Sequence, residues 1–227
     1  MNEWLTFSLG FLLIWFIIFF FNKKLRKEML WVSLLTMPLG LTEPIFVPKY
    51  WNPPSLFNLA ARTGFDIESL IFCFAIGGIG AVIYYTLFKV KYKKMTRHEI
   101  HSKRHRFHLL TLISTPIIFI LLFLSTNLNP IYSTSIAMFI GGIAAILCRP
   151  DLKKKIWGSG IIFLALYFIF FFIFNLVYSE IVSNVWNLSA ISGILMLGIP
   201  LEEFMFAYTF GMVWSSYYEH IKWYKLK

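Results

Sequence analysis

The chain alternates between long apolar runs and short polar or basic segments. Seven of the runs are close to the roughly 20 residues that an α-helix needs to cross the hydrocarbon of a bilayer. A further apolar stretch at 188–199 is too short to cross alone. We therefore predict an all-α, multi-pass membrane protein. Its seven transmembrane helices are expected at residues 4–21, 29–47, 66–88, 107–125, 131–148, 157–177 and 200–219.

The basic residues indicate which helix ends face the cytoplasm. Loops on the cytoplasmic side of membrane proteins carry an excess of Lys and Arg. Here only Lys49 and Arg62 would lie on the opposite side. We therefore predict that the N-terminus lies outside, that the C-terminus is cytoplasmic and that the protein resides in the cell (plasma) membrane. The basic clusters fall at residues 23–27, 89–106, 149–155 and 222–227.

The composition agrees with this pattern and excludes a soluble protein. Hydrophobic residues make up 58% of the 227 residues and charged residues only 14%, unlike soluble domains. The cytoplasmic clusters explain the formal charge of +10, so we expect contact with membrane lipids and no nucleic-acid partner. Cys73 and Cys148 each lie inside an apolar run and are expected to be inert packing residues.

Two adjacent carboxylates head the last predicted span. Glu202 and Glu203 lie in GIPLEEFMFAYTF, which begins at residue 198. The stretch GFDIESLIFCFAI, which begins at residue 64, matches it without gaps and pairs Glu68 with Glu202. An ionisable side chain in a spanning segment costs about 3 kcal/mol on insertion scales, so such residues are functional candidates by default.

The match between these stretches extends into a longer repeat. Trp51 and Trp186, each followed by asparagine, occupy corresponding loops, so the first three predicted helices resemble the last three. We predict a 3+1+3 parallel repeat, which would place Glu68 and Glu202 at one shared cavity. The predicted parts are a first three-helix unit at 1–90, a basic loop and linker helix at 91–130, and a second three-helix unit at 131–227.

Other acids and aromatic residues accompany the two stretches. A plainer alternative is that the acids cap helix N-termini, where the helix dipole favours negative charge, and that the aromatic residues only pack. The candidate catalytic residues are Glu202, Glu68, Glu203, Glu43 and Asp66. The candidate substrate-binding residues are Phe72, Phe206, Phe65, Tyr208, Trp51 and Pro200.

Acids among apolar and aromatic side chains favour one kind of chemistry. Desolvation favours the neutral form of a carboxyl group, which can then donate a proton. Aromatic faces can stabilise a carbocation through the ring quadrupole. Together these properties suit protonation of a carbon–carbon double bond in a hydrocarbon and control of the resulting cation. A lipid-soluble isoprenoid would reach such a site from the bilayer.

These residues carry a family resemblance. PLEEFMF at 200–206, FDIESLIF at 65–72, the loop PKYWNPPSLF and the three-helix duplication resemble the integral-membrane lycopene cyclase domain family, in its fused two-repeat form. The family motif falls on Pro200, Glu202 and Glu203, and its first-half equivalent on Asp66 and Glu68. Ser69 stands where the second half has Glu203, so the halves are not expected to be equivalent catalysts.

The resemblance implies cyclisation of the ψ-ends of lycopene, taken from the bilayer, to β-ionone rings without a cofactor or metal. In our hypothesis Glu202 or Glu68 protonates C2 of a terminal double bond, and the C5=C6 bond closes on the cation. A carboxylate then removes a proton, so no net redox change occurs. The ring type, the number of reacting ends and the oligomeric state, including a homo-oligomer, stay open.

One alternative function has the same helix arrangement. Sugar transporters of the SWEET type also have a 3+1+3 parallel repeat and an outside N-terminus. Their cavities carry polar groups near the bilayer midplane, whereas the fifth and sixth predicted helices have almost none. A retinal-binding opsin is disfavoured because residues 191–221 contain no lysine for a Schiff base.

Four histidines lie within or just after the second basic cluster. They fall at i, i+3, i+7 and i+10 and would share a face if this segment were helical. Such a face would either bind a metal or, among so many lysines and arginines, contact anionic lipid, which is the more ordinary explanation. The four are His98, His101, His105 and His108.

Overall fold

The computed structural model describes residues 2–88 and 90–226, so Met1 and the predicted basic residues Lys89 and Lys227 lie outside it. In chain order the α-helices are α1 (Glu3–Phe21), α2 (Arg26–Thr36), α3 (Glu43–Phe46), α4 (Leu59–Thr63), α5 (Ile67–Leu87), α6 (Arg97–Ile100), α7 (His108–Ser125), α8 (Pro130–Cys148), α9 (Lys153–Val177), α10 (Ile181–Val185) and α11 (Leu201–Lys222). Short 3₁₀ helices cover Met37–Thr42, Leu56–Asn58, Lys103–Phe107, Pro150–Leu152 and Leu188–Ala190. The strands are β1 (Tyr92–Lys94), β2 (Leu195–Met196), β3 (Ile199–Pro200) and β4 (Tyr224–Leu226).

Each of the seven predicted spans contains helix. Among residues 2–88 and 90–226, six segments are long and apolar enough to cross a membrane, which agrees with a membrane protein. The seventh predicted span corresponds to α11, which has 22 residues but carries charged side chains near both ends. The seven-span count, the 3+1+3 repeat and the orientation therefore stay predictions.

The prediction of an all-α fold missed two small antiparallel sheets. In one, β1 pairs with β4 so that Tyr92 lies opposite Leu226. In the other, β2 pairs with β3 so that Leu195 lies opposite Pro200. Strands of two or three residues are too short to show the alternation of polar and apolar residues by which a strand is predicted.

The second predicted span is not one continuous α-helix. A 3₁₀ segment separates α2 from α3, with Pro38 near its start and Pro44 in the first turn of α3. Proline has no backbone N–H and its ring clashes with the preceding helical turn, so it interrupts an α-helix. The break makes Glu43 the first residue of α3, and Glu43 is buried there.

The chain divides into two compact units, each with its own core. Trp4, Phe7 and Phe11 of α1 are among the side chains buried in unit 1. Leu152, Ile156 and Met212 form part of an apolar cluster in unit 2. Of the described residues, unit 1 comprises 2–79, 129–131 and 166–204, and unit 2 comprises 80–88, 90–128, 132–165 and 205–226.

A close backbone approach in unit 1 depends on Gly40. A Cβ atom at this position would lie 2.7 Å from the backbone nitrogen of Leu70 and 2.8 Å from the carbonyl of Ser69. Backbone atoms in a helix cannot turn away as the end of a flexible side chain can. Glycine at position 40 therefore permits the 3₁₀ segment to pack directly on the first turn of α5.

We expect Gly40→Ala to destabilise the protein by about 1–3 kcal/mol, the usual cost of overpacking. The thermal unfolding midpoint in detergent would measure the loss. Gly80→Ala is the matched control, because the three atoms nearest its new methyl group all belong to side chains, with a Phe210 ring atom at 3.0 Å and the Cβ of Trp214 at 3.3 Å. An equal loss of stability in both variants would contradict the role assigned to the backbone contact.

Candidate active site

All five predicted catalytic acids are buried in unit 1. Burial of five carboxyl groups in one compact unit is unusual, because a charged group loses its hydration unless it finds partners. The exposed fractions are 5% for Glu43, 1% for Asp66, 0% for Glu68, 1% for Glu202 and 4% for Glu203. The structure thus brings these acids into the same unit but does not by itself assign roles to them.

Three of the acids, Glu43, Asp66 and Glu68, form the Glu43 cluster around the start of α5. Asp66 accepts a hydrogen bond from the backbone N–H of Ser69 and so caps this helix, as the plainer alternative predicted. The Ser69 hydroxyl donates to Glu43 Oε2 at 3.0 Å. Trp4 Nε1 donates to the same hydroxyl at 3.4 Å. Ser69 therefore joins Glu43 to Asp66, and Glu43 lies close enough to Glu68 for their charges to interact.

Glu68 and Glu202 make similar bonds to the loops that precede their helices. Glu68 Oε1 accepts from the backbone N–H of Leu56 at 2.7 Å and from the Asn2 side chain at 2.5 Å. Glu202 Oε1 accepts from the backbone N–H of Ser192 at 2.9 Å. Both acids thus fasten a loop located 10 to 12 residues upstream. A cavity shared by the two acids stays a prediction.

Glu203 lies at the centre of a second group, the Glu203 cluster of Glu203, Tyr50, Tyr167 and Trp186. Trp186 Nε1 donates to Glu203 Oε1 at 2.8 Å, and the Tyr50 hydroxyl donates to the same oxygen. The Tyr167 hydroxyl donates to Oε2 at 2.6 Å. All four side chains are buried. Three donors fix both oxygens of this carboxyl group in place.

Tyr50 stays a neutral donor to Glu203. Burial is the largest cause that raises the pKa of Tyr50 well above its ordinary value, and the neighbouring Glu203 raises it further. The phenol proton is therefore kept over the physiological pH range. Neither tyrosine was among the predicted site residues, because Tyr50 and Glu203 are 153 residues apart and Tyr167 and Glu203 are 36 apart.

A short backbone pairing joins the two tryptophan loops. Trp51 and Trp186 form an antiparallel β-bridge. The N–H of Asn52 donates to the carbonyl of Val185 at 2.7 Å, and the N–H of Asn187 donates to the carbonyl of Tyr50 at 2.9 Å. The two bonds are reciprocal, so each loop presents its tryptophan to the other. The ring centroids of Trp51 and Trp186 lie 5.7 Å apart.

These two tryptophans belong to a closed circuit of rings in stacked, tilted and edge-to-face contacts, the aromatic cluster. The cluster consists of Trp4, Trp51, Trp186, Phe171 and Phe7. Successive ring centroids around it are 4.5, 5.7, 5.3, 5.2 and 5.5 Å apart. Trp186 bonds to Glu203, while Trp51 lies beside Glu43. The aromatic cluster therefore borders both acid clusters.

The predicted aromatic contacts fall in different places. Phe72 contacts the aromatic cluster, because its ring centroid lies 5.1 Å from that of Trp4. Pro200 is buried in β3. Phe65 is 39% exposed. Phe206 and Tyr208 belong to unit 2, where their rings contact those of Phe210 and Trp157. Their role in substrate binding stays a prediction.

The histidines of the basic segment do not share one helix face. His98 lies in α6, His105 lies in the following 3₁₀ helix and His108 begins α7. The reason is local, because a ring nitrogen of His105 bonds to the carbonyl of Glu99 at 2.9 Å and thereby closes the end of α6. The shared face required one helix over this segment, and the structure has three shorter elements instead.

One part of the chain matches a known protein family. A family model described as Lycopene cyclase matches residues 129–221. The matched range contains Tyr167, Trp186, Glu202 and Glu203. No curated protein and no solved structure matches the chain. None of the comparisons supports the transporter alternative.

Proposed function

We propose that this chain, whose residues 129–221 match the lycopene cyclase family model, converts the ψ-ends of lycopene to β-ionone rings by acid catalysis without a cofactor. The family match supports a role in lycopene cyclisation. The ring type, the acid mechanism and the residue roles are the finer parts of the proposal. The matched range, 129–221, overlaps most of the second three-helix unit predicted at 131–227.

One structural observation carries the proposal: the three buried carboxyl groups of the Glu43 cluster and the buried carboxyl group of the Glu203 cluster border the same circuit of aromatic rings in unit 1. The partners described for these carboxyl groups are amide, hydroxyl and indole donors, none of which carries a charge. An acid in such surroundings can move a proton, and the rings can face a cation. A substrate that is a pure hydrocarbon offers a double bond as the group to be protonated.

The Glu43 cluster is suited to supply the proton. Its three carboxyl groups are buried and lie close together, an arrangement suited to giving a proton to a hydrocarbon. Addition of this proton to C2 of the terminal C1=C2 bond leaves the positive charge at C1. Trp51, which lies beside Glu43, would present its ring to this charge. A desolvated cation–π contact is worth about 2 kcal/mol.

The Glu203 cluster is suited to complete the reaction. The C5=C6 electron pair forms the C1–C6 bond and moves the charge to C5. Loss of the proton on C6 then restores a C5=C6 double bond, so one proton enters and one leaves. Three donors already point at the Glu203 oxygens, which is an arrangement for an acceptor rather than for an acid. Glu203 would therefore receive the C6 proton. The adjacent Glu202 would hold the preceding loop in place through its hydrogen bond from the N–H of Ser192.

The packing around the clusters favours ring closure over hydration. A tertiary cation exposed to water would be captured as an alcohol. Tyr50, Tyr167 and Trp186 expose 3%, 4% and 5% of their surfaces, so bulk water is kept from this part of unit 1. We therefore expect cyclic hydrocarbons and not hydrated carotenes as products.

Expression in a host that accumulates lycopene tests the function. We expect the host pigments to shift from red to orange, and chromatography should show carotenes with the same mass as lycopene and cyclic end groups. Purified protein in D₂O should add one deuterium for each ring formed, because the carboxyl proton exchanges with solvent before it reaches C2. Unchanged lycopene would contradict the function, and rings without deuterium would contradict the proton donor.

A further inference from the structure

A group of potential metal ligands in unit 2 lies outside the proposed site. His108 begins α7, Cys148 ends α8 and His220 lies in the last turn of α11. The ligand atoms of these three side chains all lie within 4.8 Å of one another. Cys148 and His220 are buried, and His108 is half-buried. Three separate helix ends thus direct nitrogen and sulfur atoms to one point.

The hydrogen bonds of the two imidazoles fix which ring nitrogens are free to bind a metal. A carbonyl oxygen only accepts, so a ring nitrogen bonded to one must carry the proton. His220 Nδ1 bonds to the carbonyl of Ser216 at 2.9 Å, and His108 Nε2 bonds to the carbonyl of His220 at 3.1 Å. Lone pairs therefore remain on His220 Nε2 and His108 Nδ1. Within residues 2–88 and 90–226, His220 Nε2 is buried and has no hydrogen-bond partner.

This pattern matches the support that metal-binding histidines receive. A ligating imidazole almost always donates its other N–H to a carbonyl or carboxylate, which fixes the tautomer and the ring orientation. Both histidines do so here, through backbone carbonyls. Trp223 adds to this by stacking on His108 with ring centroids 4.0 Å apart. The two nitrogens are thus positioned before any ion binds.

Cys148 supplies the third ligand. Its sulfur lies 3.5 Å from His108 Nδ1, so the two atoms are already neighbours. The adjacent Arg149 has its guanidinium bonded to Asp151 at 2.8 Å, which balances its charge and reduces its repulsion of a bound cation.

We propose that His108, Cys148 and His220 bind one zinc-type divalent cation. Imidazole and thiolate are the ligands that zinc prefers, and three protein ligands leave a fourth position for water. On binding, the Cys148 thiol releases its proton to solvent and the sulfur bonds to the metal. The ion would tie together the ends of α7, α8 and α11. Its role is to stabilise unit 2, and the ring-forming reaction does not involve it.

Cobalt binding to the purified, chelator-treated protein in detergent tests this site, since Co²⁺ reports thiolate ligation by a charge-transfer band in the near ultraviolet. We expect one Co²⁺ per chain with this band, its displacement by Zn²⁺, and a higher thermal unfolding midpoint with either ion. Cys148→Ser should remove the band and His220→Gln should weaken binding at least about 100-fold. Cys73→Ser and His98→Gln are the matched controls and should bind like the original chain.

The Cys73→Ser protein decides the result even if the Cys148 variant fails to fold, because Cys148 is then the one thiol left in the sequence. A charge-transfer band in this protein assigns the ligand to Cys148. The absence of the band in both the original chain and Cys73→Ser would overturn the proposal, and so would an unchanged band in Cys148→Ser. Activity is not part of the readout, so this test is independent of the proposed cyclisation.

Discussion

Glu203→Gln should abolish ring formation and leave a lycopene-producing host red. The glutamine oxygen can still accept hydrogen bonds, and the hydroxyls of Tyr50 and Tyr167 can rotate to accept from its amide group. The fold should therefore survive while the proton acceptor is lost. Removal of a general acid or base lowers a rate by about 10² to 10⁴, so cyclic carotenes should fall at least about 100-fold. Chromatography of the pigments measures this fall.

Three further variants make this result specific. Glu180→Gln makes the same change at an exposed acid of unit 1 and should leave the product pattern unchanged. Tyr167→Phe removes one donor to Glu203 but keeps the carboxyl group, so we expect a partial loss of activity. Glu202→Gln tests the neighbouring acid, which the sequence favours as a proton donor. Full cyclisation by a folded Glu203→Gln protein would remove Glu203 from the mechanism.

Lys155→Met should cause the largest loss of stability, about 3–5 kcal/mol, because it leaves the buried Glu219 without its cation. Lys155 and Glu219 form an ion pair in unit 2 with side chains only 0% and 1% exposed. The Tyr85 hydroxyl donates to the same Glu219 oxygen, and the Lys155 ammonium lies 4.0 Å from the Tyr85 ring centroid. Chemical unfolding in mixed micelles would measure the change in unfolding free energy.

The neighbouring Lys154 supplies the control, since it is exposed and Lys154→Met removes an equal charge. We expect this variant to change stability by less than about 0.5 kcal/mol. The double variant Lys155→Met with Glu219→Met removes both buried charges and should be more stable than Lys155→Met alone. Equal effects of Lys154→Met and Lys155→Met would show that burial of the pair does not matter.

The helices could be predicted from the sequence because each needs only local information. Within the part of the chain that the structure describes, six apolar runs correspond to segments long and apolar enough to span a membrane, and their predicted bounds differ from the observed ones by at most seven residues. The exceptions have local causes as well. Pro38 and Pro44 interrupt the second span, and His105 closes α6 through its side chain. Side-chain hydrogen bonds of this kind are not visible in hydropathy.

The acids of the candidate site could also be predicted, whereas most of their partners could not. Charged residues at the ends of apolar runs stand out in a sequence, and all five predicted acids are buried. Tyr50 and Tyr167 resemble the many other aromatic residues of this chain, so nothing local distinguishes them. The same applies to Cys148, which was expected to be inert but lies beside His108.

The sequence by itself determined the membrane class, the approximate helices, the acidic stretches and the family resemblance, because hydrophobic runs and short motifs are encoded by neighbouring residues. Only the tertiary structure decided which side chains meet. Trp51 and Trp186 pair across 135 positions, and His108 meets His220 across 112. Such contacts depend on how helices pack, and the packing is set by many small contacts along whole helix faces rather than by any local pattern.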